Sequence, residues 1–131
     1  MDLQEKMLRE SHTVAVVGLS PKPDRDSHRV AAYLQAQGYR IIPVNPQVQE
    51  VLGERSYPDL SAVPENIDLV DVFRRSEQVR PVIEEAIRLG IRRIWLQDGI
   101  VDEDGAAMAR EAGAAVVMND CTMRVHSRLH R

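Results

Sequence analysis

TVAVVGLSPKPDRDSHRVAAYL, residues Thr13 to Leu34, is the stretch that decides the fold. A short apolar run, Val14 to Val17, ends at Gly18; a polar loop punctuated by prolines follows, and a helical pattern begins near Ser27. Strand, glycine, loop and helix in that order make a phosphate-binding turn. The first amides and the dipole of the helix face whatever rests on the loop. Lys22, Arg25, His28 and Arg29 add cations, so the ligand expected there is strongly anionic.

Working outward, one pattern recurs: a helical segment, a glycine, then a β-rich run. It reads AQG-YRIIPV at Gly38, RLG-IRRIWL at Gly90 and EAG-AAVVM at Gly113, with glycine at the position just past a helix end. With Val14–Val17 and Leu69–Phe73 this gives five strands. Helices are expected near Ser27–Gln37, Glu77–Leu89 and Asp102–Ala112, the middle one with Val79, Val82, Ile83, Ala86 and Ile87 on a single face. The strands are continuous apolar runs, as in a parallel sheet covered by helices on both faces. Residues 1–131 are therefore read as one α/β domain, a doubly wound, Rossmann-like parallel sheet with expected strand order 3-2-1-4-5. The connection Gln47–Ile67 has only a short helical hint and two prolines, Pro58 and Pro64, and is read as a degenerate crossover with a small extra strand at Arg55–Tyr57. Segments before His12 and after Cys121 are expected to be short helices against the body.

Composition narrows the function. A chain of 131 residues with 44% hydrophobic content suits one sizeable core, and the 4% aromatic share leaves it to Val, Ile, Leu and Ala. A net charge of -3 argues against a nucleic-acid coat, so any anion site is local. The lone Cys121 cannot form an internal disulfide, and a reducing cytoplasm is the expected location. No apolar run approaches the roughly 20 residues a membrane span requires, so no membrane partner is expected.

In such folds ligands bind at the carboxyl ends of the strands. Those ends carry Gly18-Leu-Ser20-Pro-Lys22, Val44-Asn45-Pro46, Phe73-Arg74-Arg75-Ser76, Leu96-Gln97-Asp98-Gly99 and Asn119-Asp120-Cys121. A dinucleotide fingerprint is missing: Leu19-Ser20-Pro21 lacks the second and third glycines, and Asn45-Pro46 stands where an acidic residue would hold a ribose. No glycine-lysine-serine or glycine-lysine-threonine follows the first strand, which excludes a P-loop. His12, His28, His126 and His130 have no zinc-ligand spacing, and the i, i+4 pair His126/His130 is read as a frayed surface helix. No glycine-flanked nucleophile motif surrounds Cys121, so neither a metal site nor a catalytic residue is assigned.

VAVVGLSPKPDRDSHRVAAYL, GYRIIPVNP, VLGERSYPDL, DLVDVFRR and IWLQDGI, in this order, resemble the small stand-alone CoA-binding domain family, which is similar to the nucleotide-binding domain of the succinyl-CoA synthetase alpha subunit. The resemblance spans Thr13 to Cys121. It implies binding of coenzyme A or acyl-CoA across the strand ends, without the second domain that carries a ligase's phosphohistidine. The role implied is carrier, sensor or partner subunit with no complete catalytic site of its own, its protein partner unidentified.

The residues fit that ligand. Gly18, Ser20 and the Ser27 helix start, with Lys22 and Arg29, suit phosphates; Val44, Asn45, Pro46 and Phe73 suit adenine. Arg74 suits a base or a phosphate, and Gln97 and Gly99 the pyrophosphate or upper pantetheine. Each residue has a plainer role as well. Gly18 serves the turn in any case, Arg25 between two aspartates reads as solvated, one of Arg74 and Arg75 as a surface ion pair, and Phe73 equally as core. Cys121 shares the ligand edge, where the thiol of a bound CoA could capture it, but reads first as a small buried side chain. Two other classes remain open: a small NAD(P)- or nucleotide-dependent enzyme, and an interaction module with a vestigial nucleotide fold.

Overall fold

A computed structural model describes residues 1–130. Helix α1 (Leu3–Glu10) is capped by Asp2, whose carboxylate accepts the Glu5 amide at 2.8 Å. β1 (Thr13–Val17), α2 (Asp26–Ala36) and β2 (Arg40–Val44) follow. A small hairpin, β3 (Glu50–Val51) and β4 (Glu54–Arg55), then leads to β5 (Leu69–Val72). The chain continues through α3 (Arg80–Arg88), β6 (Arg93–Leu96), α4 (Glu103–Glu111), β7 (Ala115–Val117) and α5 (Thr122–Leu129).

Five strands form one sheet in which each neighbouring pair is parallel. Successive side chains of β1 go to opposite sides: Ala15 and Val17 pack with Ile83, Ala86, Ala106 and Ala109 of α3 and α4, while Val14 and Val16 pack with Leu8, Ala31, Leu34 and Val125 of α1, α2 and α5. Helices on both faces explain why the strands read as unbroken apolar runs. The two terminal helices belong to the second layer, as the sequence leads one to expect.

The strand order departs from the expected 3-2-1-4-5. It is β2-β1-β5-β6-β7, or 2-1-3-4-5 counting only the five main strands. Two features hold the outer edge of β2 against another full strand. Pro43 has no N–H to offer a ladder. The connecting segment also lies along that edge: Tyr57 donates its amide to the Pro43 carbonyl (3.0 Å) and accepts the Asn45 amide (2.9 Å), a one-residue parallel bridge beside Val44. β5 therefore pairs with the other side of β1. The extra strand expected at Arg55–Tyr57 is instead split between this bridge and the β3–β4 hairpin, which turns at Leu52 (φ 56°) and Gly53 (φ 76°). The expected helix Glu77–Leu89 starts later, at Arg80, after a 3-10 turn at Ser76–Gln78, because Pro81 presets the first helical turn.

Candidate functional site

The strand order puts its reversal between β1 and β5, where the crevice of an open α/β sheet forms. At its floor Gly18 (φ 86°) donates its amide to the Val44 carbonyl at 2.9 Å, and a Cβ on it would overlap the Phe73 carbonyl oxygen. Only glycine satisfies both the dihedral and the space. The ends of β1, β2 and β5 are thus drawn together at one point.

The polar residues of the loop mostly brace it. Ser27, buried in the first turn of α2, accepts the Ser20 amide on its hydroxyl at 3.0 Å, and Ser20 Oγ accepts the Lys22 amide at 3.1 Å. The imidazole Nδ1 of His28 lies 2.9 Å from the Ser20 carbonyl. Asn45 ties the two loops: its side-chain amide donates to the Leu19 carbonyl (3.0 Å) and its side-chain oxygen accepts the Gln47 amide (2.9 Å). What remains for a ligand is the first-turn amides of α2, which have no intrahelical acceptor, and the cations around them.

Two clefts open on this edge. The first, about 580 Å3, lies between the β1 loop, the start of α2, the end of β2 and Phe73–Arg74. The second, about 550 Å3, runs between α2 and α5 and is walled by apolar groups of Val30, Ile100 and Met123. Asp26 and Phe73 border both, so the clefts adjoin.

Gly18, Ser20, Lys22, Ser27, Asn45, Phe73 and Arg74 line the first cleft. Arg29 and Gln97 line the second, and Val44, Pro46 and Gly99 line neither. Val44 belongs to the core, Pro46 is exposed, and the Gly99 amide is committed to Asn119 Oδ1 at 2.7 Å. Arg29 is engaged by Asp26 and by the Asp24 carbonyl. Among the described residues Lys22, Arg74 and Arg75 have no ion-pair partner, so the surface pair expected at Arg74-Arg75 is not formed. Phe73, half-buried, both packs on the core layer of α2 and divides the clefts.

The α2–α5 groove escaped the sequence reading, although Arg29, Val30 and Tyr33 recur at helical spacing beyond the loop. So did the polar group beneath it. Asp71 is fully buried in the central strand β5; Gln97 Nε2 donates to its Oδ1 (2.6 Å) and to Thr122 Oγ1 (2.9 Å), and the Thr122 hydroxyl donates to Asp71 Oδ2 (3.1 Å). Burial outweighs both hydrogen bonds and pushes the Asp71 carboxyl up to about 7. The Gln97 amide is therefore spent on a buried network, and the residue borders the second cleft with only 4% of its surface exposed. Its visible signal was the lone acid in LVDVF.

Cys121 is the N-cap residue of α5, and burial, ahead of the Arg124 and Met123 amides that favour a thiolate, pushes its thiol above the ordinary value. At the mouth of the groove Arg124 pairs with Asp98 (2.8 Å) and Asp120 (2.9 Å) and holds the Asp98 carboxyl below the usual range. His126 corrects the expectation of a frayed surface helix: it is buried and its Nδ1 lies 2.8 Å from the Tyr33 hydroxyl. Among the described residues no cluster of three or more His, Cys, Asp or Glu could hold a metal ion, and no helix is long and apolar enough to cross a membrane.

Known proteins resemble this chain over most of its length. Residues 12–127 match the family described as the CoA binding domain. The uncharacterized protein YneT of Bacillus subtilis is 42% identical over 123 residues, covering 94% of this chain and 91% of that protein. The structure of a hypothetical protein from Pyrococcus horikoshii superposes with a TM-score of 0.94 at 38% identity, covering 98% of this chain and 90% of the other. The ADP-forming acetate–CoA ligase I of Archaeoglobus fulgidus is 23% identical over 126 residues; the match takes in 88% of this chain but 18% of the ligase.

Proposed function

We propose that this chain, which belongs to the CoA-binding domain family, binds coenzyme A or an acyl-CoA across its two adjoining clefts. The observation that carries this reading is their arrangement: a cation-flanked cleft at the β1 loop continues past Phe73 into an apolar groove between α2 and α5. CoA has the same division, a phosphorylated adenosine diphosphate followed by a long and mostly neutral pantetheine arm. The phosphates would rest on the first turn of α2, with Lys22 and Arg74, free of carboxylate partners, supplying charge. Arg29 would have to leave Asp26 to join them. Adenine would lie against Phe73 and Asn45, and the pantetheine arm would follow Val30 and Met123 toward Cys121.

The ligase relative is several times longer than this chain, and its activity is that of the larger protein. For this chain the role we infer is that of a cytoplasmic carrier, sensor or subunit that presents CoA to a partner. Calorimetric titration with CoA, dephospho-CoA, NAD and ATP tests the reading. CoA should bind tightest, and its advantage over dephospho-CoA should shrink with added salt. Lys22→Ala should weaken CoA by about 1–3 kcal/mol if its contact is charge-assisted. No CoA binding, or equal affinity for NAD, overturns it.

A further inference from the structure

We propose that a hollow at the opposite end of the sheet is a second ligand site, one that takes a small oxyanion such as phosphate. It is about 330 Å3, open to solvent and bordered by the last turns of α1 and α5 and the turn from α2 into β2. Arg9, His12, His126 and His130 line it, and among the described residues no carboxylate does. Ser11 also lines it, more than nine-tenths buried, and its hydroxyl is the one buried side-chain polar atom among the described residues without a hydrogen-bond partner.

His126 is held in place, while Arg9, His12 and His130 reach the hollow from the exposed rim. The His126 ring stacks on His130 with centroids 4.3 Å apart, and the edges of Tyr33 and Tyr39 enclose it at 5.5 and 5.7 Å. Tyr33 occupies His126 Nδ1, which leaves Nε2 as the ring nitrogen for any further partner. Rings stacked face to face do not converge on a metal ion. Instead they repel each other once both are protonated, and Arg9 adds to that repulsion. Burial first, then His130 and Arg9, hold His126 below the ordinary histidine value. Of the nearby acids, Asp68 Oδ2 accepts the His12 and Thr13 amides while its charge also faces His12, and Glu10 pairs with Arg93. Tyr39 spends its hydroxyl on the Leu8 carbonyl. Arg9 and the free Nε2 of His126 are donors an anion in the hollow could use, and the sealed Ser11 hydroxyl would join them by rotating toward it.

The hollow is separate from the CoA clefts. Tyr33 lines the second cleft and His126 lines the hollow, so their hydrogen bond is the partition between them. The proposal does not depend on what the clefts bind.

Histidine ring resonances test it directly, because the chain's fourth histidine, His28, sits on the β1 loop and reports the other end. Titration with inorganic phosphate at constant ionic strength should shift His12, His126 and His130 saturably, with a common midpoint unrelated to that of His28. With sulfate, whose charge does not change across the histidine range, the midpoint should tighten as pH falls, because an anion favours protonated imidazole. Arg9→Ala and, as a second variant, His130→Gln should each weaken it several-fold, while Lys22→Ala leaves it unchanged. Sulfate and acetate arms tell a tetrahedral dianion from a carboxylate. Shifts that chloride reproduces, or a midpoint indifferent to both variants, overturn the proposal.

Discussion

The carbonyl oxygen of Phe73 stands where a Cβ on Gly18 would fall. Two strand ends meet there with no room for a side chain, and the first cleft opens above the contact. Gly18→Ala should therefore lower stability by about 1–3 kcal/mol from the dihedral alone and by more from the overlap, and should abolish CoA binding. Gly38, with φ 98° and nothing within 4 Å of a built Cβ, supplies the control. Its alanine variant should suffer only the dihedral strain and keep its affinity. Urea unfolding of both variants decides: equal losses would mean that the Phe73 contact relaxes freely.

Phe73 separates two clefts that one elongated ligand is proposed to occupy. Trimming it to leucine keeps much of the packing against α2 but removes the flat face. Phe73→Leu should weaken CoA about tenfold, or 1.4 kcal/mol. Adenosine 3′,5′-bisphosphate, which lacks the arm that crosses this point, should lose less. An equal loss for both would confine Phe73 to the adenine side.

Asp71 makes stability depend on pH. Its carboxyl is raised from the ordinary value of 3.8 to about 7 in the folded protein. Between those values the native state holds a proton that the unfolded chain releases, so stability falls as pH rises through this window. Below it the full contribution is present; above about 7 it is lost. Asp71→Asn imitates the protonated acid and keeps an acceptor for Gln97. The difference in unfolding free energy between variant and wild type should grow in the variant's favour from pH 4 to pH 7, by on the order of a few kcal/mol. A flat difference would show that the carboxylate finds enough donors when charged.

Much of this was written in the chain. Covered strands, terminal helices and a β1 loop that gathers Gly18, Ser20, Lys22 and Ser27 follow from periodicity and glycine placement. The strand order was legible too, but in a residue that went unused: Pro43 in the middle of RIIPV marks β2 as an edge strand, which already excludes an interior place for it. The α2–α5 groove was harder, because it depends on how α5 crosses α2, and no local pattern encodes a crossing. Tyr33 meets His126 across 93 positions of sequence. Such a pair is set by the sheet's connectivity, so reading His126 from its own helix alone leaves it on the surface.

Cys121 gives the last test, because it lies at the far end of the proposed pantetheine groove. Burial keeps its thiol protonated at neutral pH, although it caps α5 where the first amides would favour a thiolate. Alkylation by iodoacetamide should be slow at pH 7 and should rise with pH toward an apparent pKa above that of free cysteine. Saturating CoA should slow it further by filling the groove, whereas adenosine 3′,5′-bisphosphate, which ends before the groove, should leave the rate unchanged. If both ligands protect equally, the protection comes from tightening of the fold and not from an arm lying beside the sulfur. If neither protects while calorimetry shows CoA bound, the arm leaves the protein before it reaches α5, and the assignment of the second cleft fails.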